Sequence, residues 1–189
     1  RDRLVWSGDL YFAQRSAYYA FAHPTYLRDS LKMLAFNQTP EGYVHASPYP
    51  ERSTPPALGE YGPFPSDEFA AWLVPVAWEH LLYTDDTATL RELWPAIERL
   101  LAYLGAHINS DGLFVQRVET SKHAGNLNSG DIRTRAYMNV LLWGVYTDAA
   151  RIAERLGFAG ERAEAQRMAD RIKRALFERL WDEKGGCFR

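Results

Sequence analysis

One cysteine in 189 residues, Cys187, excludes an internal disulfide, and its place beside Gly185 and Gly186 reads as that of an incidental small residue. No apolar run approaches the roughly 20 residues that crossing a bilayer takes. No basic-then-apolar leader opens the chain, so the compartment is left open. Neither sign of charge prevails: 22 Lys and Arg stand against 24 Asp and Glu, net charge -2, mixed along the whole chain. That leaves no electrostatic footprint for nucleic acid or an anionic membrane, and neither is expected as a partner. The five histidines (23, 45, 80, 107, 123) include no pair at metal-ligand spacing, and only His45, beside loop aromatics, is a functional candidate. Phosphate-cradling glycine patterns and the Gly-x-Ser-x-Gly elbow are missing too, so neither nucleotide nor serine-hydrolase chemistry is expected, and no cofactor. No repeat of fixed length appears, which disfavours a protein-binding α-solenoid.

What the chain has is helix. At 47% hydrophobic residues it can bury a substantial core. Leu10, Phe12, Ala13, Ala17, Tyr18, Ala20 and Phe21 fit a helix from Asp9 to Ala22, closed by His23-Pro24. Thr25 can cap a second helix, with Leu27, Leu31, Leu34 and Ala35 on one face, to about Asn37. Residues 38–65 hold seven prolines and Gly42, Gly59 and Gly62, which forbids regular helix there. A loop of that length is functional or disordered, and Tyr43, Tyr49, Tyr61 and Phe64 favour order. Ser66, Asp67 and Glu68 start a third helix, kinked by Pro75, running to about Tyr83. Thr87 or Thr89 opens a fourth that continues past Pro95 to about Ile108. After the turn Asn109-Ser110-Asp111-Gly112, Leu113-Phe114-Val115 reads as a short strand and 116–131 as polar loop. A fifth helix runs from about Ile132 to Leu156, stopped by Gly157, and a sixth from about Gly160 to Trp181.

The expectation is an all-α domain of three antiparallel hairpins. The first helix of each pair, apolar on most faces, lies inside; the last helix, charged around much of its circumference, lies outside. Inner helices that need cover on two sides suit a toroid of two layers, and three hairpins make only half a ring. Arg1 is not an initiator methionine and the chain stops just after a Gly-Gly turn. Residues 1–189 are therefore expected to be one incomplete domain of a longer protein, inactive and poorly soluble alone because its inner helices would be half uncovered.

The opening RDRLVWSGD sets Asp2 and Asp9 seven residues apart around Trp6 and a Ser-Gly turn. Cleaving a glycosidic bond requires an acid for the leaving oxygen, a base or nucleophile on the other side, and an aromatic face for the sugar. The same residues have a structural explanation, which spacing alone favours: Asp9 caps a helix, Asp2 pairs with Arg1 or Arg3, and Trp6 is core. Tyr61, Phe64 and Trp72 surround the proline-rich loop as further candidate sugar faces, with core packing the commoner role for Trp72. Asp67, Glu68, Glu119 and Asp131 are the other available carboxylates; Glu68 fits helix capping best.

RDRLVWSGD resembles the signature that opens the catalytic barrel of the α-L-rhamnosidase-like six-hairpin glycosidases. EGYVHASPYP, YTDD and NSDGLF resemble further turns of that family, and the resemblance spans essentially the whole chain. It implies half of an (α/α)6 barrel, a carbohydrate partner such as a terminal rhamnoside, and cleavage with inversion. It places the general acid on Asp2, sugar contacts on Asp9 and Trp6, and a hydroxyl ligand on Asp67 within Pro-Ser-Asp-Glu-Phe. The general base is expected in the remaining half of the barrel, outside this chain. The chain departs from the better-known pattern in having aspartate where glutamate usually serves as acid, in lacking the upstream Asp-Cys-Pro, and in showing no Asp-Trp pair near 113–125. A related enzyme on another sugar and a non-catalytic carbohydrate-binding helical module are the competing readings.

Overall fold

A computed structural model describes residues 5–21, 24–47, 66–115 and 136–188. Seven α-helices are found among them: α1 (Ser7–Phe21), α2 (Pro24–Phe36), α3 (Asp67–Ala71), α4 (Leu73–Thr84), α5 (Thr87–Gly105), α6 (Ala136–Leu156) and α7 (Ala159–Ala175). The all-α expectation holds. Pairs α1–α2, α4–α5 and α6–α7 are the three hairpins; α1, α4 and α6 pack side by side as an inner row, with α2, α5 and α7 outside. Among the described residues the array is open and no ring closes.

Pro75 explains why α3 and α4 are two helices. The carbonyl of Ala71 would bond to the N–H of residue 75 in a continuous helix, and proline has none. The helix breaks at Trp72 and resumes with Val76 N–H on the Trp72 carbonyl at 3.0 Å. Ser66 caps α3 as its sequence suggests, its Oγ accepting from Phe69 N–H at 3.3 Å. α5 opens at Thr87, as expected. Asp86 is its cap, accepting from Thr89 N–H at 3.0 Å and from the Thr89 hydroxyl at 2.6 Å, so that one carboxylate satisfies both donors. Gly157, at φ +78°, ends α6 in the left-handed conformation open to glycine.

The sixth helix stops short of Trp181. α7 ends at Ala175, a π-helical turn spans Leu176–Leu180, and Trp181–Asp182 pairs antiparallel with Cys187–Phe188. The rings of Phe177, Trp181 and Phe188 meet edge-on or tilted at 5.1–6.0 Å, and that aromatic cluster draws Trp181 out of the helix. The short strand read at Leu113–Val115 is an isolated bridge between Ile108 and Phe114, matched after α2 by a bridge between Gln38 and Val44. All three outer helices thus end in a narrow hairpin closed by a positive-φ glycine: Gly42, Gly112 and Gly186.

The core lies between the two rows. Leu31, Leu34, Leu90, Leu100, Leu104, Leu142 and Ile152 are wholly enclosed, and cutting any one to alanine would cost about 2–5 kcal/mol. Asp148 of α6 sets a carboxyl group beside this apolar layer, its side chain 16% exposed. Burial, reinforced by the charge of Glu79, lifts its carboxyl to about 6 against the pull of Arg151. The folded chain therefore holds a proton that the unfolded chain releases near 3.8, so stability falls as pH rises between those values and the loss is complete above 6. Asp148→Asn in the full-length protein should stabilise it by up to roughly 3 kcal/mol at pH 7. Thermal melts across pH check this: the gain grows from pH 4 to 6 and then stays level, and a gain independent of pH would contradict it.

Candidate functional site

The inner helices bring their N-terminal ends together. Ser7, first residue of α1, donates its N–H to the Ala46 carbonyl at 3.1 Å and its hydroxyl to the Phe69 carbonyl of α3 at 2.5 Å. Gly8 follows because the helices touch there: a Cβ would sit 3.2 Å from the Phe69 ring and 3.3 Å from that of Trp72. At the start of α6, Tyr137 reaches back to α3, its hydroxyl donating to Glu68 Oε1 at 2.5 Å. The ends of α1, α3 and α6 thus form one continuous face.

Aromatic surface and carboxylates share that face. Trp6, half-buried, meets Phe69 edge-on at 5.8 Å. Tyr11 stacks on Trp72 at 4.5 Å, and Phe12 meets Trp72 edge-on at 5.6 Å. Asp9 is exposed in the first turn of α1, where the helix dipole favours its charge. Trp72 is therefore a packed residue of the site wall, and Trp6 is neither wholly core nor free. Deeper along the inner row, Glu79 of α4 receives a hydrogen bond from Arg15 of α1 at 2.5 Å.

Asp67 is brought to the same helix start but lies behind the face. It is 0% exposed, and the Tyr103 hydroxyl donates to its Oδ1 at 2.9 Å. Tyr43 locks the preceding residue: its hydroxyl accepts from Ser66 N–H at 2.8 Å, while its ring meets Tyr103 and His45 edge-on at 5.6 and 5.2 Å. His45 is thus a buried neighbour of Tyr43. Tyr43→Phe would strand the buried Ser66 N–H at a cost of about 1–3 kcal/mol. A urea titration should show that loss with an unchanged slope; no loss would mean that the bond contributes nothing.

Asp2, Tyr61, Phe64, Glu119 and Asp131 lie outside the described residues. Among those described, no group of three or more His, Cys, Asp or Glu residues could hold a metal ion. Sequence reasoning missed Tyr103 and Tyr137. Both are helix residues whose partners stand 36 and 69 positions away, and no local signal marks them.

Carboxylates that accept hydrogen bonds from hydroxyls, beside flat ring faces, are the components of a carbohydrate site. The fold is that of solved rhamnosidases. The rhamnosidase of Klebsiella oxytoca, solved with rhamnose bound, superposes with a TM-score of 0.79 at 24% identity, covering 100% of this chain and 35% of that one. The family 78 rhamnosidase of Bacillus sp. GL1 gives 0.77 at 16% identity, covering 99% and 19%. The chain therefore spans about a third or less of the length of these relatives. Curated proteins give no sequence match. Residues 1–187 match the bacterial alpha-L-rhamnosidase six-hairpin glycosidase domain, and the chain belongs to that family.

Proposed function

We propose that this domain supplies the acid and much of the sugar pocket of an inverting glycoside hydrolase that removes terminal α-L-rhamnose. The observation that carries the reading is the gathering of Trp6, Asp9, Glu68 and Tyr137 at the N-terminal ends of α1, α3 and α6, in a chain of this family. Asp2, seven residues before Asp9, protonates the leaving oxygen; Asp9, Trp6, Tyr61 and Phe64 hold the sugar. Asp67, being enclosed, supports the first turn of α3 from behind rather than touching sugar directly. The general base comes from a segment outside these 189 residues.

Exposed side chains support the existence of such a segment. Phe12, Tyr19 and Phe21 of α1 are 70, 81 and 69% exposed, and Tyr26, Met33 and Phe36 continue the apolar surface along α2. In this reading further hairpins cover that side.

The test is a panel of aryl glycosides with the full-length protein, following the anomer first released by proton NMR. The expected result is turnover of the α-L-rhamnoside with release of β-L-rhamnose. Preference for another sugar would reassign the substrate; release of the α anomer would remove inversion; no turnover of any glycoside would leave a binding module.

A further inference from the structure

Glu68 is more than the negative charge that a helix start favours. α3 is five residues long, its cap is Ser66, and its first turn already holds Asp67. The Glu68 carboxylate instead bridges to α6, where Tyr137 donates to Oε1 at 2.5 Å. Among the described residues no Lys, Arg or His forms an ion pair with it. Burial and the adjacent carboxylate hold the Tyr137 phenol above its ordinary pKa, so its proton stays in place to donate. One oxygen is taken by a neutral donor, and the remaining capacity of the pair is for accepting hydrogen bonds. Phe69, the next residue, packs against Trp6, so Glu68 belongs to the same helix turn as that aromatic contact. Tyr137 is 45% exposed and Glu68 is partly so, which leaves the pair open to a ligand. A neutral polyol offers what such a pair lacks, hydroxyl donors.

We propose that the Glu68–Tyr137 pair is a hydroxyl-recognition element of the sugar site: Glu68 accepts a hydrogen bond from one ring hydroxyl, and Tyr137 is the positioning residue that aims the carboxylate. This rests on the proposed function, and it adds a specificity determinant spanning two helices. A hydrogen bond to a charged acceptor is worth enough that losing it lowers kcat/KM by about 10- to 100-fold.

The experiment crosses variants with substrates. The full-length wild type, Glu68→Gln and Tyr137→Phe are assayed on an aryl α-L-rhamnoside and on its 2-, 3- and 4-deoxy forms, with melting temperatures recorded for all three proteins. In the wild type one deoxy substrate should lose about 10- to 100-fold in kcat/KM. In Glu68→Gln that particular loss should shrink to less than about 3-fold, with the other two substrates responding as in wild type. Tyr137→Phe should shrink it part-way, mainly through KM. Deoxy penalties unchanged in both variants would overturn the proposal, as would a uniform fall across all four substrates, which is what a purely structural bridge predicts. If Glu68→Gln melts early, Tyr137→Phe decides by the same criterion. A wild type inert on every glycoside would sink the proposed function itself, an outcome distinct from an active enzyme whose deoxy penalties ignore Glu68.

Discussion

Asparagine at Asp2 should reduce kcat/KM of the full-length protein on an alkyl α-L-rhamnoside by about 10³-fold, while a nitrophenyl rhamnoside loses less than about 10-fold. The asymmetry follows from the chemistry of the departing oxygen. An alkoxide is a poor leaving group and needs the proton; a nitrophenolate leaves without one. A residue that merely shaped the pocket would slow both substrates equally. The pH profile gives a second signature: the limb at high pH, where the acid has lost its proton, should vanish in the variant while the base's limb remains. Calorimetric titration with L-rhamnose should show binding retained. Equal losses on both substrates, or unchanged turnover, would remove Asp2 from the acid role.

Gly42→Ala should be the most damaging single substitution in the described fold. At φ +98° any side chain is strained, and here there is also no room: the added Cβ would lie 2.2 Å from the Arg99 carbonyl oxygen and 2.7 Å from its carbon. Those are backbone atoms in the middle of α5, and they cannot swing aside. The turn is also tied to that helix by Gln38, whose Nε2 donates to the Gly42 and Ala96 carbonyls at 3.0 and 2.8 Å while its Oε1 accepts from Arg99 Nε at 2.8 Å. Moving one strand of this knot loosens the others, and a loss above about 4 kcal/mol is expected. Gly157→Ala is the control. It has φ +78° but nothing within 4 Å of the added atom, so only the conformational strain, about 1 kcal/mol, should appear. Equal losses in the two variants by urea unfolding would show that the close approach to α5 carries no weight.

The fold was largely legible because its signals are local. Apolar residues at three- and four-residue steps, glycines at helix ends and Ser66 before Asp67 place the helices within a few residues. Errors arose where a distant group decides the outcome. Trp181 leaves its helix for the rings of Phe177 and Phe188, and the latter lies beyond the Gly-Gly turn. Of the candidate site, the position of the Trp6–Asp9 stretch was legible: it opens the first inner helix, beside α3. The enclosure of Asp67 and the engagement of Glu68 were not, since Tyr103 and Tyr137 come from helices folded onto α3 by the tertiary structure.

The small hairpins that end α2 and α5 bear on how such a domain diversifies. Thr39 and Asn109 each give an N–H to the residue four further on and take one from the residue three further on, at 2.8–3.0 Å. Backbone hydrogen bonding is thus closed before the chain enters 48–65 and 116–135, the stretches leading to the N-terminal ends of α3 and α6. A connection that begins after a self-contained stop can change in length or composition without transmitting strain to the helix behind it. Selection for a new ligand could then act on the segments bordering the inner-helix starts, while the helical framework remains under separate selection for stability.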